Sequence, residues 1–155
     1  MDINEKTLAK IAKMPKNKKG NVNQTRSHKF LEENFGAVYT PPKVSFGSKG
    51  VDIFNCFDHI CITNKPVRFQ MESIAKNEKW REGIIPVGEV VFVQTKSNKG
   101  YYGSRKKLIE FDKSLAPKAV IIQISWIDLD PIPYMEGLDS QDNFLAIKLK
   151  GVHYV

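Results

Sequence analysis

The stretch Glu89-Val90-Val91-Phe92-Val93-Gln94-Thr95-Lys96 decides the fold class. It follows Gly88, is dense in β-branched and aromatic residues, and predicts a strand over 89–96. Side chains of a strand alternate between its two faces. Val90, Phe92, Gln94 and Lys96 therefore share a face, and a mostly apolar strand delivers a carboxamide and an ammonium together at its C-terminal end. Beyond the turn Asn98-Lys99-Gly100 a helix is expected over 105–115, capped by Ser104, with Leu108, Phe111 and Leu115 on one face and Pro117 ending it. Residues 119–126 (AVIIQISW) predict another strand, nearly all apolar at first, as when both faces are covered.

Upstream, residues 51–63 (VDIFNCFDHICIT) are strand-rich, and after the turn Asn64-Lys65-Pro66 the alternation resumes over 67–72. A short helix fits 73–82, with Ile74 and Trp80 inward. A first helix is expected over 3–14, where Leu8 and Ile11 share a face and Pro15 closes it. A second is expected over 23–34, with Phe30, Leu31 and Phe35 as its apolar side and Gly36 as its stop. Between them Lys16-Asn17-Lys18-Lys19-Gly20 reads as a basic loop. Residues 37–39 make a brief strand ended by Pro41-Pro42, and 47–50 a flexible turn. Pro131 and Pro133 break the pattern after 126, and a last strand fits 144–149. The order helix, strand, strand, strand, helix, strand predicts an α/β fold with a mixed central sheet flanked by helices.

The chain's 155 residues suit one domain, 1–155. Lys plus Arg number 24 against 17 acids, a net charge of +7 that favours polyanionic partners. The charge is uneven: from Ala119 to Ile147 there are five acids (Asp128, Asp130, Glu136, Asp139, Asp142) and no Lys or Arg. Residues 1–118 carry 22 basic and 12 acidic groups, so a polyanion should bind there; within the acidic C-terminal extension 127–155, the acid run from Asp128 to Asp142 reads as a solvated loop, or instead as a partner-binding segment or a shield over a DNA channel. No apolar run approaches ~20 residues, so no membrane-spanning helix is expected. The first 20 residues lack the pattern of a secretory signal, and Cys56 and Cys61 in a C-x4-C stretch form neither a disulfide framework nor a zinc pattern. Buried thiols in an intracellular, cytoplasmic protein are the expectation. With three histidines (His28, His59, His153), a multi-histidine metal site is not expected.

Asp58, Ile60 and Ile62 share a strand face. If their strand pairs antiparallel with 89–96, Asp58 meets Gln94 and Lys96 across the ladder. A carboxylate and an amide oxygen suit a hard cation such as Mg²⁺ or Mn²⁺, and a neighbouring lysine can orient water or offset charge on a phosphate. Asp58 followed by FVQTKS (92–97) resembles the D…(E/D/Q)-x-K signature of the PD-(D/E)xK nuclease superfamily, which includes restriction endonucleases and archaeal Holliday junction resolvases. The resemblance covers about 18–126. KKG (18–20) before a helix resembles the resolvase N-terminal region; VDIFNCFDHICI (51–62) resembles the first and second core strands; SRKKLIEF and AVIIQISW fit the next helix and strand. It implies a restriction-endonuclease-like αβββαβ core and metal-dependent endonuclease cleavage of DNA phosphodiesters, junction-resolving enzymes among the models, with Asp58 and Gln94 on Mg²⁺ or Mn²⁺ and Lys96 near the attacking water. Dimers are common among the resembled resolvases.

This sequence departs from the pattern in three places. Gln94 stands where the family has an acid. Asn23-Gln24-Thr25 stands where the first helix often has Glu. The 36 positions from Asp58 to Gln94 require an inserted hairpin or helix. A competing register, Gln70-Met71-Glu72, lies 12 after Asp58 but lacks the lysine, and Glu72 also reads as structural. Asp52 is a second metal-proximal carboxylate or a solvated turn acid. His59 falls on the strand face opposite Asp58 and reads as a packed histidine. Lys16, Lys18, Lys19, Arg26, Lys49, Lys99, Arg105, Lys106 and Lys107 form a set of candidate phosphate contacts; if about six engage duplex DNA, log affinity falls with log salt at a slope of about −5. Tyr101 and Tyr102 can stack on bases or pack at the helix start.

Overall fold

The computed structural model describes residues 4–42, 52–54, 56–71, 80, 83–98, 102–114, 119–139 and 141–150. Helix α1 (Glu5–Ala12) opens with the Asn4 side chain accepting from the Thr7 amide at 2.9 Å, and it buries Leu8 and Ile11. Helix α2 runs Lys16–Asn34, with Pro15 at its start. The stretch expected to be a basic loop, 16–20, is therefore the opening of α2, seven residues before the expected beginning. Pro15 ends one helix and begins the next, as proline does where no helical N–H is needed. The misreading has a physical cause: the buried stripe of α2 is Asn23, Ser27 and Leu31, at four-residue spacing but polar in two of its three positions.

The strands are β1 (Gly36–Tyr39), β2 (His59–Thr63), β3 (Val67–Met71), β4 (Ile84–Ile85), β5 (Val90–Ser97), β6 (Val120–Trp126), β7 (Tyr134–Leu138) and β8 (Phe144–Leu149); helix α3 (Tyr102–Lys113) joins β5 to β6. They form one eight-stranded sheet in the order β1-β2-β5-β6-β7-β8-β3-β4. Only β5 and β6 pair in parallel; every other neighbouring pair is antiparallel. The chain thus runs α2, an antiparallel meander β1-β2-β5, crossover α3, and parallel β6. The excursion between β2 and β5 carries β3 and β4, which sit at the far end of the sheet against β8.

Three sequence expectations are corrected. The described residues of the stretch before His59, 52–54 and 56–58, belong to no strand of the sheet; Ile53 and Phe57 form an isolated bridge around a turn in which Phe54 has φ 53°. Strand β7 was hidden by Pro131 and Pro133, which lie just before it, and by Glu136 in its middle. The acidic run is not a solvated loop, for Glu136 and Asp139 are buried; Asp139 accepts the amides of Gln141 and Asn143 at 2.8 Å in the turn between β7 and β8. Helix α3 starts at Tyr102, so Ser104 lies within it rather than capping it. The helix expected over 73–82 lies outside the described residues apart from Trp80, which is buried, and a Cβ at Gly137 would run into its ring.

Each face of the sheet has its own core. Leu31 and Phe35 at the end of α2 pack with Cys61, Val91, Val93, Val120, Ile122, Ile124 and Trp126. On the other face Leu108 of α3 joins Phe57, Ile121 and Leu138, with Phe92 and Phe111 against them. Ring centroids of Phe57 lie 5.1 Å from Phe92 and 4.9 Å from Phe111. Burial pushes the Cys56 thiol up to about 11 and Cys61 to about 12; both are free and buried. Among the described residues no helix is long and apolar enough to cross a membrane.

Candidate metal and nucleic-acid site

Asp58 stands directly before β2, whose register pairs His59 with Val93. That register carries Asp58 to the C-terminal end of β5. Its Oδ2 accepts the Thr95 backbone N–H at 2.8 Å, and its Oδ1 accepts from Nε2 of Gln24 on α2 at 2.7 Å. Gln94 and Lys96 flank Thr95 in the chain and, by strand alternation, share the sheet face opposite to it. The three residues singled out from sequence thus belong to one end of two paired strands, with the Asp58 carboxylate held by two donors.

Gln24 is the participant that sequence reasoning missed. Its signal was present: it lies in the segment where the resembled family carries a helix glutamate. Gln94 is almost wholly buried, and its Oε1 meets no hydrogen-bond partner among the described residues. Asp58 has a carboxamide on either side of it: Gln24 reaches it from α2, where a half-turn of the amide exchanges Nε2 for Oε1, and Gln94 lies opposite it in register on the α3 face. Such hard oxygens fit Mg²⁺ or Mn²⁺. Among the described residues no three His, Cys, Asp or Glu side chains gather as a metal group, so a cation here depends on amide oxygens.

Behind the site, on the α2 face, hydroxyls and rings form a continuous chain. The Trp126 Nε1–H donates to Ser27 Oγ at 2.8 Å, and Thr95 Oγ1 lies 2.7 Å from the same oxygen. Thr95 Oγ1 is also 2.8 Å from His59 Nε2, and His59 Nδ1 is 2.6 Å from Thr40 Oγ1, which lies 2.7 Å from His28 Nδ1. Burial, with a smaller contribution from His28, lowers His59 to about 4, so the ring is neutral at pH 7. His59 is the packed residue expected, and it works as a strut between Thr40, just past β1, and Thr95 of β5.

The basic residues divide into two groups. Lys19 pairs with Asp128 at 3.0 Å. Arg26 donates to Asn23 Oδ1 at 3.1 Å and lies 3.9 Å above the Trp126 ring; burial lowers its pKa, partly offset by Asp130. Both are thereby tied to the acidic segment after β6. Lys16, Lys18 and Lys106 are exposed. Asn23 Nδ2 donates to Ser97 at 2.9 Å and so ties the middle of α2 to the end of β5, while Leu31 and Phe35 pack against Val91 and Val93 farther back, so the helix start points toward the C-terminal end of β5. Arg105 pairs with Glu136 of β7, Nη2 to Oε1 2.7 Å, rather than standing open to a phosphate. Lys49, Lys99, Tyr101 and Glu72 lie outside the described residues, as does the side chain of Tyr102.

Asp52 is half-buried, and its charge reaches Cys56 together with those of Lys107 and Asp58, which places it in the same neighbourhood. Gln70 is exposed on β3, separated from β5 by β8, β7 and β6. The structure therefore does not bring Gln70 to Asp58: the spacing of 12 is consumed by a strand that crosses to the far end of the sheet. Comparisons with protein-family models, with curated proteins and with solved structures found no match to this chain.

Proposed function

We propose that this protein is a metal-dependent endonuclease acting on DNA. The observation that carries the proposal is the Asp58 carboxylate, gripped by Thr95 N–H and by Gln24, at the strand end that also bears Gln94 and Lys96. The chain order α2, β1-β2-β5, α3, β6 supports it, because it is the αβββαβ order that the resemblance implies. So does the exposed basic start of α2 at the same end of the sheet.

In this reading Asp58, Gln94 and the Gln24 carbonyl oxygen hold a divalent cation. The cation supplies Lewis-acid polarisation of a phosphodiester. Lys96 brings a positive charge to a half-buried position, where it orients the attacking water or offsets charge growing on the phosphate. Lys16 and Lys18 hold backbone phosphates without reading sequence.

The test incubates the purified protein with labelled duplex, four-way junction and single-stranded DNA, with Mg²⁺, with Mn²⁺ and with chelator. Metal-dependent cutting that Lys96→Ala and Asp58→Asn remove, with binding retained, is expected. Cutting by both variants at the parent rate defeats the assignment. A second reading, a non-catalytic nucleic-acid-binding module, is favoured by the neutral Gln24 and Gln94 in positions where ligands are usually anionic. It predicts salt-sensitive DNA binding with no cutting, and no heat on adding Mn²⁺.

A further inference from the structure

Three polar side chains lie in a row across the sheet, beneath α3. Gln94 of β5 pairs in register with Gln123 of β6, and Gln123 with Glu136 of β7. All three are buried, Gln123 completely. Neither Oε1 nor Nε2 of Gln123 has a hydrogen-bond partner among the described residues, nor has Oε1 of Gln94. Polar atoms this deeply buried ordinarily find partners. Register neighbours lie about 4.8 Å apart, within reach of one another after a change of side-chain rotamer.

We propose that Gln123 and Glu136 are positioning residues that orient the Gln94 amide with its oxygen toward Asp58; this rests on the metal-site reading above. The direction of the row follows from its charged end. Glu136 is paired with Arg105 and, as a carboxylate, can only accept. Gln123 therefore turns its NH₂ toward Glu136 and its oxygen toward β5. Gln94 answers by donating its NH₂ to that oxygen. Its own Oε1 is left facing away from β6, toward β2 and Asp58. Without the row, an amide at position 94 presents nitrogen and oxygen with equal ease, and nitrogen cannot ligate a hard cation.

A cycle of substitutions tests this. Gln123→Leu, read by calorimetric titration with Mn²⁺, should weaken binding by about 10- to 100-fold, the range for residues that orient a metal ligand. In a Gln94→Glu background the same substitution should cost less than about 3-fold, because a carboxylate presents oxygen whichever way it turns. A residue that merely fills space lowers affinity equally in both backgrounds. Gln123→Met serves if the leucine variant does not fold. No Mn²⁺ heat from the parent chain removes both readings. Parent-like Mn²⁺ affinity in Gln123→Leu, or equal losses in the two backgrounds, removes this one alone.

Discussion

The two faces of the sheet treat polar side chains in opposite ways. Under α2, Thr40, His59, Thr95, Ser27 and Trp126 complete one another's hydrogen bonds. Under α3, Gln94 and Gln123 have atoms left unmatched among the described residues, between Asp58 and the Arg105–Glu136 pair. Both rows cross β5, one through Thr95 and the other through Gln94, its neighbour in the chain. A satisfied network in a low-dielectric interior fixes a geometry; an unsatisfied one keeps atoms for another partner. Asp58 sits where they meet, gripped by the Thr95 amide and, on the proposed reading, completed by Gln94.

That contrast separates activity from stability, and the largest effect should show it. Lys96→Met is expected to slow Mg²⁺-dependent cutting by about 10²- to 10³-fold, the loss typical of removing one charge-stabilising group, while leaving the melting temperature within a degree or two. A variant that melted far below the parent would place Lys96 with the structural row instead.

The second effect belongs to the α2 face alone. His59 titrates near 4 in the fold against an ordinary 6.5. Below about pH 6.5 the unfolded chain takes up the proton and the folded one does not, so stability held above that pH drains away as pH falls toward 4. The full window is worth about 3 kcal/mol. Urea unfolding at pH 7 and pH 4.5 should show this loss, and His59→Gln should flatten it. Identical pH slopes in parent and variant would mean that the ring is not held neutral by its surroundings.

How much of this was open to sequence reading divides along the same line. Strands β2, β5 and β6 and helix α3 announced themselves through alternation and apolar runs, because their inward residues are hydrophobic. Asp58, Gln94 and Lys96 followed from the alternation of β5 and an assumed antiparallel pairing that β2 makes. What stayed hidden was polar and buried. The first turns of α2 bury nothing and its middle buries Asn23 and Ser27, which carry no hydrophobic period, and Glu136 looks like a surface acid until Arg105 is brought to it from 31 residues away. Gln24 was legible as a position but not as a contact, since its partner lies 34 residues on.

Ser27→Ala is the next test in size. It removes the acceptor for the Trp126 indole N–H, which is buried, and should cost about 1–3 kcal/mol by urea unfolding. Metal-dependent cutting at saturating Mg²⁺ should stay within a few fold of the parent. A collapse of cutting with intact stability would show that the α2-face row reaches the chemistry through Thr95, and the division between the faces would fail.

The smallest effect is the sharpest probe of what the α3 face lacks. Gln94→Glu puts a second carboxylate beside the half-buried Asp58, at a position that is itself almost wholly buried. Without metal, burial and like charge disfavour the ionised pair, so the variant should melt below the parent in chelator. With Mn²⁺ the same two charges become ligands, and binding should tighten by about tenfold, or 1.4 kcal/mol. Because anything that binds only the folded state stabilises it by mass action, excess Mn²⁺ should raise the variant's melting temperature more than the parent's. The sign of that difference is the decisive quantity: a variant destabilised equally with and without Mn²⁺ has gained a buried charge and no ligand, and position 94 then does not face a cation.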